Sequence, residues 1–448
     1  MGRKIKVFRI IARLNIGGPA IHTVLLTEGL DKDRFDSILL TGSVDDREGD
    51  MRYFAEERGV KPIFVSEMGR EISLKNDLKT FWKTLKTIKK EMPDLIHTHT
   101  AKAGTIGRGA AILIKLQELL FRCFKKLLLQ KNSRLAVRKS QLKIIHTFHG
   151  HTFHGYFNPF KARLFLSIER LLARFTDRII VLSNQQFKEL CYKYKIAPPD
   201  KFVIIPLGFD IDKFLQCDTK KGHLRKELGV DEQTLLVGIV GRLVPIKNHR
   251  MFLDAAAEVI KPETRDISEK PSVRFIIIGD GELRSELEAY TQKLGIEDDI
   301  TFTGWREDLN VIYADLDIVA LTSLNEGTPV SLIEAMASGK PIISTNTGGI
   351  LDLVASSQQS AVSKKNKEKK IEAGINNPGY TIYEGGILVE PGDGYGFAEA
   401  LKLLLSNKEL RKDMGNEGRR LVREKYRKER LFRDIENLYF KVVNGESN

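Results

Sequence analysis

Residues 325–349 read NEGTPVSLIEAMASGKPIISTNTGG, and two acids within them, Glu326 and Glu334, are separated by seven residues across an expected loop-to-helix junction. Thr328 is placed to cap a helix by accepting from an early amide, and Pro329 suits the first helical position, where its missing N–H would be unpaired anyway. The helix then runs through VSLIEAMAS and stops at Gly339, a residue type that readily takes the left-handed C-terminal conformation, with Pro341 soon after. The amides of residues 327–331 open this helix and favour an anion. Glu334 falls about 7.5 Å further along the axis at the standard rise per residue. One carboxylate thus precedes an anion-binding turn and the other lies beyond it. A ligand that meets both is elongated, anionic in the middle and rich in hydroxyls at its ends, as a nucleotide sugar is.

Three further segments carry residues fit for the same chemistry. GRLVPIKN at 241–248 follows the apolar run LLVGIV, and in it Arg242 offers a planar fork of donors and Lys247 a point charge. Together they suit a nucleoside diphosphate that gains charge as a glycosidic bond breaks. LNIGGPAIH at 14–22 follows the first apolar run; Gly17 and Gly18 let the backbone approach a phosphate closely, and a helix begins near Pro19. This is not G-x-G-x-x-G, which excludes a nicotinamide-type fingerprint. His22 reads equally as a site residue or as a polar residue on a helix face. HTFHGHTFHG at 146–155 holds four histidines, with no carboxylate or cysteine among them to complete a zinc set, so no metal is expected. His97 and His99 end the run DLIHTH and read either as site residues or as ordinary strand ends. IGDGELR at 278–284 reads as a turn, and the pairs Asp31/Asp33, Asp210/Asp212 and Asp315/Asp317 sit in no convincing metal loop.

Together with ASGKP and the Gly348-Gly349 turn, the E-x7-E segment resembles the signature of the GT-B glycosyltransferases of family 4, over nearly the whole chain apart from two insertions. The resemblance implies that Glu334 holds ribose hydroxyls and Glu326 faces the transferred hexose. It implies that Gly327, Thr328, Pro329 and Val330 line the sugar or diphosphate, and that Arg242 and Lys247 bind the diphosphate. Gly17 and Gly18 would close over the donor or meet the acceptor, and His149 would lie near the transferred sugar. The family generally works without a catalytic metal, so no cofactor is expected. The donor is expected to be a UDP-sugar rather than a GDP-sugar, and the configuration to be retained by front-face transfer.

The elements that must position these residues are legible as a series. Short Val/Ile-rich runs alternate with amphipathic stretches: KVFRIIA, DSILLTG, PIFVS, DLIHTH, KIIHTFH, RIIVLS and FVIIP, then LLVGIV, RFIIIGD, ITFTG, DIVALTS, PIIST and GILVE. Such alternation predicts α/β architecture with parallel sheets covered on both faces. At 448 residues the chain is too long for one core. The expectation is a GT-B fold: two doubly wound Rossmann-like domains facing a central cleft. Residues 1–206 form an acceptor-side domain, 207–425 a nucleotide-sugar domain, and 426–448 a helix crossing back to the first. Ligands in such sheets sit beyond the carboxyl ends of the strands.

Composition sets the remaining bounds. Hydrophobic content of 42% and charged content of 29% are those of a globular protein, and no apolar run reaches the length of a membrane span. IKVFRII, interrupted by Arg9, reads as a strand rather than a signal peptide. Cys123, Cys191 and Cys217 form no metal pattern, so a reducing cytoplasm is expected. The net charge is +13, and residues 111–143 hold nine Lys/Arg against Glu118 alone, a net of +8. LIKLQELLFRCFKKLLL within that stretch has bulky apolar residues at helical spacing. It reads either as an interfacial helix peripheral on an anionic membrane surface or as a core-packed helix with a solvated basic edge. Without aromatic interleaving it does not suggest nucleic acid. A second, polar and Lys-rich insertion at 356–380 reads as a mobile loop. The expected activity is transfer of a hexose from a nucleotide sugar to a glycan or lipid-linked acceptor in cell-surface polysaccharide or glycolipid synthesis. The alternatives are a nucleotide-sugar 2-epimerase of the same fold and a non-catalytic nucleotide-sugar or membrane-binding protein.

Overall fold

The computed structural model describes residues 3–45, 49–128, 142–150, 159–261, 272–355 and 379–446. The chain divides into two compact units, Met1–Phe209 with Lys428–Asn448, and Asp210–Arg427. The sequence reading places these divisions after 206 and after 425.

The first unit is built on a seven-stranded sheet ordered β3-β2-β1-β4-β5-β6-β7. Its strands are β1 (Ile5–Arg13), β2 (Phe35–Gly42), β3 (Ile63–Val65), β4 (Leu95–His99), β5 (Lys143–Thr147), β6 (Arg178–Val181) and β7 (Phe202–Ile204), all paired in parallel. The chain builds outward from β1 to β3, then returns to the other side of β1 as β4. The order therefore reverses between β1 and β4, and the loops leaving their carboxyl ends part to leave a crevice, where ligands bind in doubly wound sheets. One sheet face is covered by the helix Lys428–Asn444. Its buried residues Leu431, Ile435, Leu438, Tyr439 and Val442 recur at three- to four-residue spacing and join Val7, Leu26, Leu95, Ile145 and Ile180 in one core. On the helix Ala101–Leu128, Arg108 is fully buried and its Nη2 donates to both carboxylate oxygens of Glu169, on the helix Pro159–Phe175, at 2.8 and 2.7 Å, while its Nε donates to the Gly104 carbonyl.

The second unit repeats the plan in the order β10-β9-β8-β11-β12-β14-β13. Its strands are β8 (Leu235–Val240), β9 (Val273–Ile278), β10 (Ile300–Gly304), β11 (Ile318–Leu321), β12 (Ile342–Thr345), β13 (Tyr380–Ile382) and β14 (Ile387–Val389). The reversal here lies between β8 and β11, paired in parallel at Val237↔Ile318. All pairs are parallel except β13 with β14. The sequence reading missed β13, which begins inside the stretch expected to be a loop. At three residues it has no apolar period of its own, and its partner across a tight turn defines it. The rest of that stretch, 356–378, and residues 129–141 of the basic insertion lie outside the described residues. The acids Asp315 and Asp317 prove structural. Asp315 accepts from the amides of Gly222, Leu224 and Arg225, and Asp317 from the Leu236 amide and the Arg225 guanidinium.

Candidate active site

In the second unit the loops after β8 and β11 meet at the switch point. The β8 loop is held by backbone bonds to the segment after β9: Gly241 N–H donates to Ile278, Leu243 N–H to Asp280 and Leu283 N–H to Leu243, at 2.9 to 3.0 Å. IGDGELR is thus a bracket for GRLVPIKN. Gly279 has φ +136, and a Cβ there would overlap the Gly241 carbonyl, so the bracket admits no side chain. The bracketed loop leads to Lys247, whose carbonyl accepts from Thr322 Oγ1 at 3.0 Å, while Leu324 N–H donates to Ile246 at 2.8 Å. These bonds dock the β8 loop on the β11 loop. Across the junction Lys247 Nζ lies 2.5 Å from Glu326 Oε1, with the two side chains only 19% and 11% exposed. The sequence reading assigned these two residues to different parts of the donor; the structure pairs them. Arg242, by contrast, is exposed and has no ion-pair partner among the described residues.

The Glu326 loop is fixed from the other side by the Gly348-Gly349 turn. Gly349 N–H donates to the Gly327 carbonyl at 2.8 Å. Gly348 has φ +57, and a Cβ there would overlap the Glu326 carbonyl. The following helix is Val330–Ala337, which corrects the expected start: Pro329, at φ −73 and ψ 112, occupies the capping position rather than the first helical one, and no side chain, Thr328 included, caps it. Among the described residues, the amides of Gly327, Thr328 and Val330 bond no acceptor. The C-terminal end is as expected, with Gly339 at φ +69. Glu334 is partly buried beside Tyr313, whose hydroxyl stands 3.5 Å from Oε2 and donates to the Ser331 carbonyl at 2.9 Å. Burial pushes the Glu334 carboxyl up to about 7, against the opposing pull of Lys213 and Tyr313. The sequence reading missed His249, which directly follows the β8 loop. It is 1% exposed, neither ring nitrogen has a partner, and burial followed by the Lys247 charge brings it down to about 4. A single histidine at a helix start gives no sequence signal of this.

The first unit gathers its own set at the carboxyl ends of β1, β4 and β5. Gly17 precedes the helix Gly18–Gly29 with φ +154, and Pro19 stands in its first turn. That helix buries His22, with both ring nitrogens unpartnered. His97 is held at both nitrogens, by the Tyr439 hydroxyl at 2.6 Å and Thr147 Oγ1 at 2.7 Å. His99 Nδ1 lies 3.0 Å from His149 Nε2. Burial holds all these rings far below the ordinary histidine range, His149 at about 3, so each is neutral at pH 7. His22, doubtful in the sequence, thus stands with His99 and His149, while His151 and His154 lie outside the described residues. A separate depression of about 610 Å³, lined by Lys4, Lys6, Phe35 and Asp36 among others, sits at the amino ends of β1 and β2, away from these loops.

Comparison with known proteins bears on both sets of loops. The model described as "Glycosyl transferase 4-like domain" matches residues 17–208, and that described as "Glycosyl transferases group 1" matches residues 220–377. The UDP-Gal:alpha-D-GlcNAc-diphosphoundecaprenol alpha-1,3-galactosyltransferase of Escherichia coli is 32% identical over 291 residues, 65% of this chain and 67% of that one. The chain belongs to this glycosyltransferase family. A D-inositol 3-phosphate glycosyltransferase of Segniliparus rotundus is 31% identical over 188 residues, 40% of this glycosyltransferase and 39% of that protein. In fold, the crystal structure of Anabaena HepE in complex with UDP superposes with a TM-score of 0.71 at 20% identity, covering 98% of this chain and 100% of that one. The fold is GT-B, and the epimerase and non-catalytic alternatives give way to a transferase. The group 1 match spans Arg242, Lys247, Glu326 and Glu334, and the 4-like match spans Gly17, His22, His99 and His149. No helix among the described residues of the transferase is long and apolar enough to cross a membrane.

Proposed function

We propose that the enzyme transfers a hexose from a UDP-sugar, with retention of configuration, to a lipid-linked or other glycan acceptor in cell-surface polysaccharide or glycolipid synthesis. The observation that carries this reading is the Lys247–Glu326 pair at the second unit's switch point, beside the unpaired amides of Gly327, Thr328 and Val330, with Glu334 on the helix that follows. The E. coli relative, which its name describes as acting on UDP-Gal and a diphosphoundecaprenol-linked GlcNAc, supports the choice of donor and acceptor class. In this reading Glu334 accepts from the ribose hydroxyls, and Arg242, Lys247 and the amides hold the diphosphate, with Pro329 shaping that turn. Glu326 faces the sugar ring. The bond from the anomeric carbon to the diphosphate breaks, and the bond to the acceptor oxygen forms on the same face. The acceptor proton passes to the departing phosphate oxygen, whose charge Arg242 and Lys247 neutralise. Gly17, Gly18 and His149 of the first unit meet the acceptor or a sugar hydroxyl. No metal is assigned to the diphosphate.

The Glu334 carboxyl provides the test. Its pKa is raised to about 7 by burial, and hydroxyl donors bind the carboxylate, so protons compete with donor. Affinity for a UDP-sugar, whose diester diphosphate does not itself titrate near neutrality, should fall as pH drops below about 7, approaching tenfold per unit. Glu334→Gln should bind more weakly and lose the slope. Calorimetry from pH 8 to 5.5 reads both, and UDP release with a lipid-linked acceptor reads turnover. A flat wild-type profile removes Glu334 from the nucleoside site.

A peripheral location on the inner membrane face belongs to the same proposal. Along the helix Ala101–Leu128, Ala110, Ala111 and Ile114 are buried, but Leu116, Leu119, Leu120 and Phe121 are exposed. The packed neighbouring helix Leu74–Glu91 exposes Leu74, Leu78 and Trp82 among its lysines. Apolar side chains leaving the core beside basic ones suit the boundary of an anionic bilayer, where each Lys or Arg contributes about 1 kcal/mol. The enzyme should float with liposomes containing anionic lipid and not with neutral ones. Absence from both fractions rejects membrane contact.

A further inference from the structure

The three histidines at the carboxyl ends of the first unit's strands share a geometry that the sugar-transfer reading, which uses His149 alone among them, leaves unexplained. His22 comes from the first helix, His99 from the end of β4, and His149 from the residues after β5, and one ring nitrogen from each lies within 4.8 Å of the others. Their ring centroids are 5.0 Å apart for His22 and His149, 5.3 Å for His99 and His149, and 5.6 Å for His22 and His99. Hydrogen bonding accounts for only part of this arrangement. The 3.0 Å contact uses one nitrogen each of His99 and His149, leaving His99 Nε2, His149 Nδ1 and both nitrogens of His22 buried without a partner. Buried polar atoms left unpaired cost roughly 1–3 kcal/mol each, so several in one place mark a missing partner. The neighbouring His97 shows the contrast, bonded at both nitrogens, while His146 is bonded by Thr98 Oγ1 at Nδ1 alone and leaves one nitrogen unpaired.

We propose that His22, His99 and His149 bind one divalent transition-metal ion of the zinc class, with a fourth position left for water or an anionic oxygen. Three imidazoles are the donor set that selects zinc, cobalt, nickel or copper over magnesium and calcium, which prefer oxygen. Nitrogens sharing a tetrahedral ion at about 2.0–2.1 Å stand roughly 3.3 Å apart, close to the observed contact between His99 and His149. Small ring movements bring His22 to the same distance. His97, stacked on His99 at 4.1 Å and tied to Tyr439 and Thr147, supports the His99 ring from behind. No carboxylate belongs to the set, and Arg9 is close enough to act on His22 and His99, so the counter-charge must come from the fourth ligand. The ion would join the first helix to two strands of the first unit. An imidazole bound through Nε2 keeps its Nδ1–H for donation, so His149 can still meet a hydroxyl. The inference is independent of the donor residues of the second unit and shares only His149 with the proposed acceptor side.

The test uses the full chain without a histidine tag. Protein incubated with zinc chloride and freed of excess by gel filtration should retain about one zinc per chain by mass spectrometry, and cobalt in its place should give the intense visible bands of a four-coordinate site. His22→Gln and His99→Gln should each lose the ion, whereas His146→Gln should keep it. Far-UV circular dichroism checks that the variants are folded, and if they are not, the wild-type cobalt spectrum still decides. Wild-type protein that retains no zinc overturns the proposal, as does zinc retained by folded His22→Gln and His99→Gln. UDP-sugar binding measured with a chelator present tests the donor site separately.

Discussion

Lys247→Ala should reduce the turnover of sugar transfer by about 10²–10³-fold, the loss typical of removing one pre-placed group that stabilises charge in a transition state. Two effects combine. The departing diphosphate loses a cation that the β8 loop, bracketed by backbone bonds to the segment after β9, holds in place before reaction. Glu326, 2.5 Å from Lys247 and 11% exposed on its side chain, also loses its counter-charge. Glu326→Gln should lower kcat more than it raises the KM for donor, because a carboxylate facing the sugar acts as positive charge develops on the ring. Lys247→Arg keeps the charge but cannot place it at the same point, so it should recover only part of the rate. Steady-state kinetics on variants with unchanged circular dichroism are the measurement. A folded Lys247→Ala enzyme with kcat within a few-fold of wild type would remove Lys247 from the diphosphate site.

Arg108→Ala should destabilise the first unit by about 3–5 kcal/mol, because it leaves Glu169 charged and buried without its partner. Arg108 is fully buried, its Nη2 donates to both Glu169 oxygens at 2.8 and 2.7 Å, and its Nε donates to the Gly104 carbonyl. Among the described residues no other cation pairs with the Glu169 carboxylate. For a unit of this size, each kcal/mol corresponds to roughly 2–4 °C in the melting midpoint, so a shift of about 6–20 °C is expected. Replacing both residues, Arg108→Met with Glu169→Leu, should recover much of the loss, since an apolar pair of similar volume needs no counter-charge. Calorimetry of the single and double variants decides. Equal loss in both would mean that packing, not the unpaired carboxylate, is responsible.

The arrangement of elements was largely readable from local pattern. Thirteen of the strands announce themselves as short β-branched runs, because a parallel strand buried on both faces must be apolar throughout. The exception, Tyr380–Ile382, is an antiparallel edge strand whose three residues carry no such run. The residues proposed for the donor could be nominated together for a similar reason: an anion turn, a following carboxylate and a Gly-Gly close approach are properties of one contiguous segment. The helix start was not, because Pro329 fits either the first helical position or the one before it, and backbone bonding from Gly349 to Gly327 decides between them.

Pairing across segments was beyond the sequence. Lys247 and Glu326 lie 79 residues apart in the chain, and only the return of β11 to the side of β8 brings their loops together. His22, His99 and His149 meet for the same reason in the first unit, where β4 returns beside β1 and β5 beside β4. Within HTFHGHTFHG the histidines make a poor metal set, and neither that segment nor the Asp pairs and cysteines read one at a time show that His22 and His99 stand beside His149. The sequence by itself determined the element types, the two-sheet plan and the chemistry each loop can offer, because period, β-branching and turn residues act over a few positions. The tertiary structure decided which loops share a site and which charges and imidazoles face one another, because strand order, set by long-range burial, has no local signature.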